Sequence, residues 1–192
     1  MKTLIINGSP RKNGDTAFLL TELKKVLRGE IIEINAYDRG ISPCVDCGAC
    51  KTKKGCRVDD EMRIIYEDDF DNVVIASPLH MSNLTAPLMC IASRFQAYYC
   101  AKRFLRDEVS ASRKKAALII VGGGGGKPEG AVNLAKWMFK KLNAHGFENH
   151  TVLSCNTDVV PARGDVEAIE KTRDIAAFFN GGKNFVSDPI QQ

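Results

Sequence analysis

Residues 43–56 read PCVDCGACKTKKGC and carry four cysteines, Cys44, Cys47, Cys50 and Cys56, in the spacing C-x2-C-x2-C-x5-C. Three kinds of chemistry are open to such a run: disulfide pairing, ligation of a metal ion or iron-sulfur cluster, and thiols that cycle between reduced and oxidised forms. Closely spaced thiolates can converge on one side of a tight turn, and a fourth a few residues on can close a cage, the geometry that [4Fe–4S] clusters exploit. In two-cluster ferredoxins a similar run ends in Cys-Pro and sends its last cysteine to a second cluster. Here no proline follows Cys56 and no second run exists, so the loop can be self-sufficient. Zinc also accepts four thiolates, although two-residue gaps on both sides of the central cysteine crowd a single tetrahedral ion more than a cube with separated corners. Uncoordinated thiols remain the third reading. Cys90, Cys100 and Cys155 stand isolated in apolar surroundings and are expected in the core.

Three further stretches have the composition of ligand loops. NGSPRKNGDT (7–16) joins an apolar run to a helical pattern, and its Ser9, Thr16 and glycines offer hydroxyls, backbone N–H groups and a helix N-terminus to an anion such as phosphate. It is neither G-x-G-x-x-G nor G-x-x-x-x-G-K-[ST], which argues against a Rossmann dinucleotide site and against nucleotide hydrolysis. SPLHMSNLTAPL (77–88) follows a second run, with His80 as either a surface histidine or a proton donor. VGGGGGKPEG (121–130) holds five consecutive glycines, which let backbone approach a flat ligand where any Cβ would collide. No Ser-His-Asp or Cys-His pairing is legible, so hydrolysis has little support.

The elements that must position these loops alternate. Apolar, β-branched runs at 3–7, 30–35, 72–77, 116–121 and 150–155 predict five strands, and helical periodicity at 16–29, 59–70, 84–105, 129–146 and 166–180 predicts the helices between them. Pro87 suits a first helical turn, Gly29 and Gly146 suit helix stops, and Trp137 is expected in the core. Alternating strands and helices with doubly apolar strands mean a parallel sheet covered on both faces, here a flavodoxin-like three-layer α/β sandwich of strand order 2-1-3-4-5. Such a sheet binds ligands beyond the carboxyl ends of its strands, where all three loops lie. One domain over residues 1–182 is expected, with a cysteine-rich loop at 42–58 and a C-terminal extension at 183–192.

The chain's 192 residues carry 27 basic and 23 acidic side chains, and the surplus of four is spread out, so a solvated mixed-charge surface is expected and no nucleic-acid partner. Met1-Lys2 leads directly into TLIINGS, too short an apolar run for a signal-peptide core, and no segment approaches the roughly 18 to 20 apolar residues of a membrane span. A cytoplasmic protein without membrane association is expected, and a reducing cytoplasm weakens the disulfide reading.

GSPRKNGDT resembles the G-S-x-R-x-x-[GS]-N-[ST] phosphate loop of the flavodoxin-like NAD(P)H-dependent FMN reductases, and the order of elements agrees over nearly the whole chain. The resemblance implies FMN phosphate contacts for Ser9, Arg11, Asn13, Gly14, Asp15 and Thr16. Asp15 replaces the usual asparagine, and its carboxylate would repel a phosphate and reduce FMN affinity unless it turns to cap the helix. SPLHMSNLTAPL is similar to the family's S-P-[VI]-Y-[WF] segment, which implies that Ser77, Pro78, Leu79, His80, Met81, Ser82 and Asn83 lie at the flavin ring; His80 and Met81 stand where the family has aromatic residues. The glycine run implies contacts from Gly122, Gly123 and Gly124 at the pyrimidine edge, with Lys127 near N1/O2. The cysteine spacing followed by Asp59-Asp60 resembles the iron-sulfur flavoproteins of the same superfamily, which implies one [4Fe–4S] cluster on Cys44, Cys47, Cys50 and Cys56 that passes single electrons to or from FMN, in a homodimer or homotetramer. The function so implied is an FMN-dependent oxidoreductase. Ferredoxin and NAD(P)H are the candidate electron donors, and oxygen, peroxide, quinones and nitroaromatics the candidate small-molecule acceptors. The alternatives are an NAD(P)H-dependent FMN or quinone reductase without a cluster, and a zinc-containing binding module without redox turnover.

Overall fold

The computed structural model describes residues 1–38, 40–67, 69–107 and 112–181. Six parallel strands are present among them: β1 (Lys2–Asn7), β2 (Glu30–Asn35), β3 (Asn72–Pro78), β4 (Lys114–Val121), β5 (Ala144–His145) and β6 (Thr151–Ser154). Their order is β2-β1-β3-β4, with β5 and β6 both pairing with the far edge of β4. The helices are α1 (Asp15–Val26), α2 (Arg63–Glu67), α3 (Ala86–Arg94), α4 (Gln96–Cys100), α5 (Glu129–Lys141) and α6 (Val166–Asn180).

Period-two alternation of each strand divides the core in two. Leu4, Ile6, Val73, Ile75, Leu118 and Ile120 face one layer, where Leu88, Ile91, Met138 and Phe139 of α3 and α5 cover them. Ile5, Val74, Ala76, Ala117 and Ile119 face the other, against Leu19, Leu20 and Leu23 of α1 and Ile175 and Phe179 of α6. All eight residues of β4 are buried, as a central strand covered on both faces requires. The flavodoxin-like sandwich and its strand order are thus as the sequence implies.

Four expectations need correction. The fifth strand position is shared by two pieces: Gly146, at φ +91°, starts a short 3-10 turn over Phe147–Asn149 that lifts the chain away before β6 returns to β4. Gly146 is therefore not a helix stop; α5 ends at Lys141, and Asn143 takes the left-handed conformation, φ +54°, just beyond it. The single helix expected over 84–105 is broken at Phe95, where the Phe95 N–H bonds to the Ala92 carbonyl at 3.0 Å, and its last part, Ala101–Leu105, is a π-turn closed by Arg106 at φ +54°. The helix expected over 59–70 starts only at Arg63, because Asp60 turns the preceding chain with its side chain; Asp68, within that range, lies outside the described residues. Pro87 sits in the first turn of α3, as expected. The extension at 183–192 lies outside the described residues. No helix among the described residues is long and apolar enough to cross a membrane.

Gly29 stands between α1 and β2 at φ +87°, where a Cβ would collide with the Met1 carbonyl oxygen. Both the conformation and the clash exclude a side chain. Gly29→Ala is expected to lower the unfolding free energy by about 2 kcal/mol or more in urea titration, with the m-value unchanged.

Candidate functional site

The loops after β1, β3 and β4 abut along the carboxyl edge of the sheet. The Gly8 N–H donates to the Ala76 carbonyl at 2.7 Å, and the buried Thr85 hydroxyl donates to the Gly8 carbonyl at 3.0 Å, which ties the first loop to the second. A Cβ on Gly8 would strike Leu88 and the Thr85 hydroxyl, so glycine is needed for this approach. The Leu79 N–H donates to the Val121 carbonyl at 2.7 Å, and the Leu79 side chain packs beside Gly122 and Gly126, which ties the second loop to the third.

Within the first loop, Ser9 is buried and fixed: its N–H donates to Asn7 Oδ1 at 2.9 Å, and its hydroxyl accepts from the Arg11 N–H at 3.2 Å. Arg11 and Asn13 are exposed, Gly14 is half-buried and Thr16 is buried. Helix α1 starts at Asp15 with Gly14 as N-cap, which provides no side-chain acceptor, so the first-turn N–H groups and the positive end of the helix are left for an external anion. Asp15 does not cap the helix. Its Oδ1 accepts from the Ala162 N–H at 2.8 Å, in the loop after β6.

The second loop holds backbone strain. Met81 and Ser82 both have positive φ, +51° and +60°, between paired hydrogen bonds of 3.0 Å that link His80 and Asn83 in each direction. Two successive non-glycine residues in this region cost about 1–2 kcal/mol each. The result is that Met81 projects fully exposed, at 101 % of its reference area, with exposed His80 and Ser82 beside it. Ser77 is buried with its hydroxyl on the Pro78 carbonyl, Pro78, Leu79 and Asn83 are half-buried, and the turn leans on α5, where a Cβ on Gly130 would meet the Ser82 carbonyl at 2.6 Å.

In the third loop Gly122 is buried, Gly123 half-buried, and Gly124 and Lys127 exposed. A fourth loop, which sequence reasoning missed, packs against it: the Thr157 and Asp158 N–H groups donate to the Gly122 and Gly123 carbonyls, each at 2.9 Å. The Asp158 carboxylate fills the space a Cβ on Gly123 would need. Trp137, expected in the core, is 39 % exposed and stacks on Phe95 with ring centroids 6.4 Å apart.

The cysteine loop is docked on the end of α3. The Cys44 N–H donates to the Ser93 hydroxyl at 2.9 Å. Arg94, its side chain wholly buried, closes the loop from both ends: Nη1 donates to the Ser42 carbonyl at 2.9 Å and Nη2 to the Val58 carbonyl at 3.0 Å. The same two nitrogens grip Asp60 at 2.6 and 3.2 Å, and Asp60 also accepts from the Ser42 and Met62 N–H groups. Burial alone would raise the Asp60 pKa, but the bonds from Arg94 and the two N–H groups outweigh it and hold the carboxyl below its usual range. Asp60 is therefore the structural member of the Asp59-Asp60 pair, while Asp59 is exposed.

Cys44, Cys47, Cys50 and Cys56 line one narrow cavity of about 20 Å³, with Arg94 and, unexpectedly, Cys100 in its wall. Cys100 is buried as expected but not isolated; burial and then a hydrogen bond with the Cys100 thiol push the Cys50 thiol up to about 11. Cys90 and Cys155 are half-buried, and burial raises the Cys155 thiol's pKa. Among the described residues no group of three or more metal-binding side chains stands in an arrangement for a single metal ion. The cavity thus brings together four thiols, the donor type that a cubane group takes one to each iron. Gly48 and Gly55 in this loop take φ of +72° and +89°, with open space where a Cβ would stand. Beyond Cys56 opens a cleft of about 440 Å³ walled by Lys53, Arg63, Tyr66 and Tyr98.

Residues 1–158 match the family described as NADPH-dependent FMN reductase, and the chain belongs to that family. It is 31 % identical over 99 residues to an iron-sulfur flavoprotein of Methanosarcina thermophila, with 49 % of this chain and 52 % of that protein covered. Against an iron-sulfur flavoprotein of Archaeoglobus fulgidus the identity is 35 % over 101 residues, covering 50 % and 51 %. The chain thus spans about half the length of the curated relatives it matches. Among solved structures, the NAD(P)H:quinone oxidoreductase from Methanothermobacter marburgensis superposes with a TM-score of 0.68 at 12 % identity, covering 98 % of this chain and 99 % of that one. An azoreductase from Bacillus anthracis gives 0.63 at 19 %, covering 94 % and 99 %. These two likenesses are likenesses of fold.

Two substitutions test the ties at this edge. Asp15→Ala removes the acceptor for Ala162 and is expected to destabilise the chain by about 1.5–3 kcal/mol, whereas Asp15→Asn, which keeps a carbonyl oxygen there, retains most of that stability in urea unfolding. Asp60→Asn leaves the buried guanidinium uncompensated and is expected to cost about 3 kcal/mol at pH 6. Because the folded Asp60 pKa lies below the unfolded one, its contribution is complete above roughly pH 4 and fades as pH falls through the lowered value, so wild type and variant should converge only under more acid conditions.

Proposed function

We propose that this protein binds FMN along the carboxyl edge of its sheet and acts as a flavin-dependent oxidoreductase, with a [4Fe–4S] group on Cys44, Cys47, Cys50 and Cys56 as its one-electron partner. The observation that carries the reading is the meeting of three loops at one rim: an uncapped helix N-terminus, a strained turn that projects Met81, and a run of bare glycine backbone. They suit, in that order, a phosphate, the face of a flat ring and the ring's edge. Bound FMN accepts a hydride at N5 or two single electrons in succession.

The chain's own residues have distinct parts in this reading. Ser9, Arg11, Asn13, Gly14 and Thr16 hold the phosphate, and Asp15 stays turned to Ala162 so that no carboxylate opposes it. Ser77, Pro78, Leu79, Met81, Ser82 and Asn83 lie along the ring, Met81 giving an apolar contact where an aromatic would stack, and His80 stands exposed as the candidate proton donor. Gly122, Gly123 and Gly124 let the ring's edge come against backbone, with Lys127 able to meet negative charge there. The cleft beyond Cys56 has room for a small-molecule acceptor. NAD(P)H and ferredoxin are the donors to test. Met89, Tyr99, Phe104 and Trp137, all partly exposed, support a homodimer or homotetramer.

The second reading, an NAD(P)H-dependent reductase without a cluster, is favoured by the narrowness of the cysteine cavity. An oxygen-free preparation scanned across the visible range separates the two. The proposal expects a flavin spectrum with a broad shoulder near 400 nm, bleached by NADPH or by reduced ferredoxin. A pure flavin spectrum favours the second reading, and stoichiometric zinc without yellow colour favours a non-redox module. Alanine at any one of Cys44, Cys47, Cys50 or Cys56 is expected to abolish the shoulder and leave FMN bound, while Cys100→Ala keeps both.

A further inference from the structure

Arg94 has one donor that nothing in the described chain accepts. Its two Nη atoms are fully used, on the Ser42 and Val58 carbonyls and both oxygens of Asp60. Its Nε is buried without a hydrogen-bond partner, the single side-chain atom in that condition among the described residues. A buried N–H on a charged group without an acceptor costs about 1–3 kcal/mol or more, so its presence in this polar cluster needs an explanation.

The position of Arg94 offers one. It walls the cavity shared by the four loop cysteines. The Asp60 carboxylate, bonded to both Nη atoms, balances the buried charge. A permanently charged guanidinium next to a nest of thiols is a donor for anionic sulfur, and N–H···S bonds to cluster sulfurs are among the contacts that set a cluster's potential.

We infer that Arg94 is a positioning residue for the iron-sulfur group, its Nη fork closing the cysteine loop and its Nε–H reserved for an anionic sulfur acceptor within that loop. This rests on the iron-sulfur reading above. The two roles belong to one side chain but act differently. The fork sets how firmly the loop is held. The Nε–H stabilises the reduced, more negative state of the group and so raises its reduction potential.

The test uses anaerobically prepared full-length protein, first assayed for iron and acid-labile sulfide. Absence of both in wild type removes the iron-sulfur reading itself, and with it this inference. With both present, EPR-monitored redox titration and iron release to a chelator are measured on wild type, Arg94→Lys and Ser93→Ala. Arg94→Lys keeps the charge and can reach the same carbonyls but lacks Nε; it is expected to bind FMN as wild type does, to have a more negative cluster potential, and to release iron roughly 10–100-fold faster. Ser93→Ala loosens the loop at Cys44 without touching the guanidinium, and is expected to speed iron release with the potential unchanged. An unchanged potential in Arg94→Lys, or an equal shift in Ser93→Ala, overturns the assignment of Nε. Should Arg94→Lys fail to fold, wild type labelled with 15N at arginine Nε decides the matter. Pulsed EPR of the reduced protein should show a 15N coupling that survives Arg57→Lys, since Arg57 also walls the cavity. No coupling, or its loss in Arg57→Lys, overturns the inference.

Discussion

A guanidinium taken wholly out of water at the end of α3 organises the half of this molecule where the sequence is most unusual. Such a charge is tolerated only if its counter-charge and hydrogen bonds are in place, and Asp60, Ser42 and Val58 supply them from the two ends of the cysteine loop. The loop has little apolar burial of its own, and several of its residues, Val45, Asp46 and Cys47 among them, are exposed. Its shape therefore depends on the clamp and on the bond from Cys44 to Ser93, both anchored in the rigid helix that also covers the core.

The other half of the site depends on backbone approach. Gly8, Leu79 and Gly122 bring the three loops to one edge at hydrogen-bond distance, and the fourth loop braces them through Asp158 and Ala162. The strain at Met81 and Ser82 is held by the paired hydrogen bonds of His80 and Asn83 and by the packing of the Ser82 carbonyl on Gly130. The Asp15 carboxylate is directed sideways into a structural bond with the Ala162 N–H, and the helix N-terminus is left without a side-chain cap.

Much of this was legible in the residues. Period-two apolar runs announced the strands, and the turn-rich segments after β1, β3 and β4 announced the rim, because both signals are local. What was hidden is non-local. Arg94 pairs with Asp60 across 34 positions and Asp15 with Ala162 across 147, and nothing in either neighbourhood points to the partner. Cys100 reads as a core cysteine because it lies on an apolar helical face; that the same face floors the cysteine cavity follows only from how α4 packs under the loop. The split of the last strand position turned on Gly146, whose left-handed conformation serves a turn after β5 and not a helix end.

In the function proposed above, one chain holds a flavin at the sheet edge and an iron-sulfur group in the loop clamped by Arg94. The Mössbauer spectrum of 57Fe-enriched, oxygen-free protein, taken with the flavin content of the same sample, distinguishes this from a cluster-free flavoprotein. The expected result is the quadrupole doublet of a diamagnetic [4Fe–4S] centre, with FMN in an amount equal to the chain. A sample that retains FMN but shows no cluster iron, or that holds neither, contradicts it.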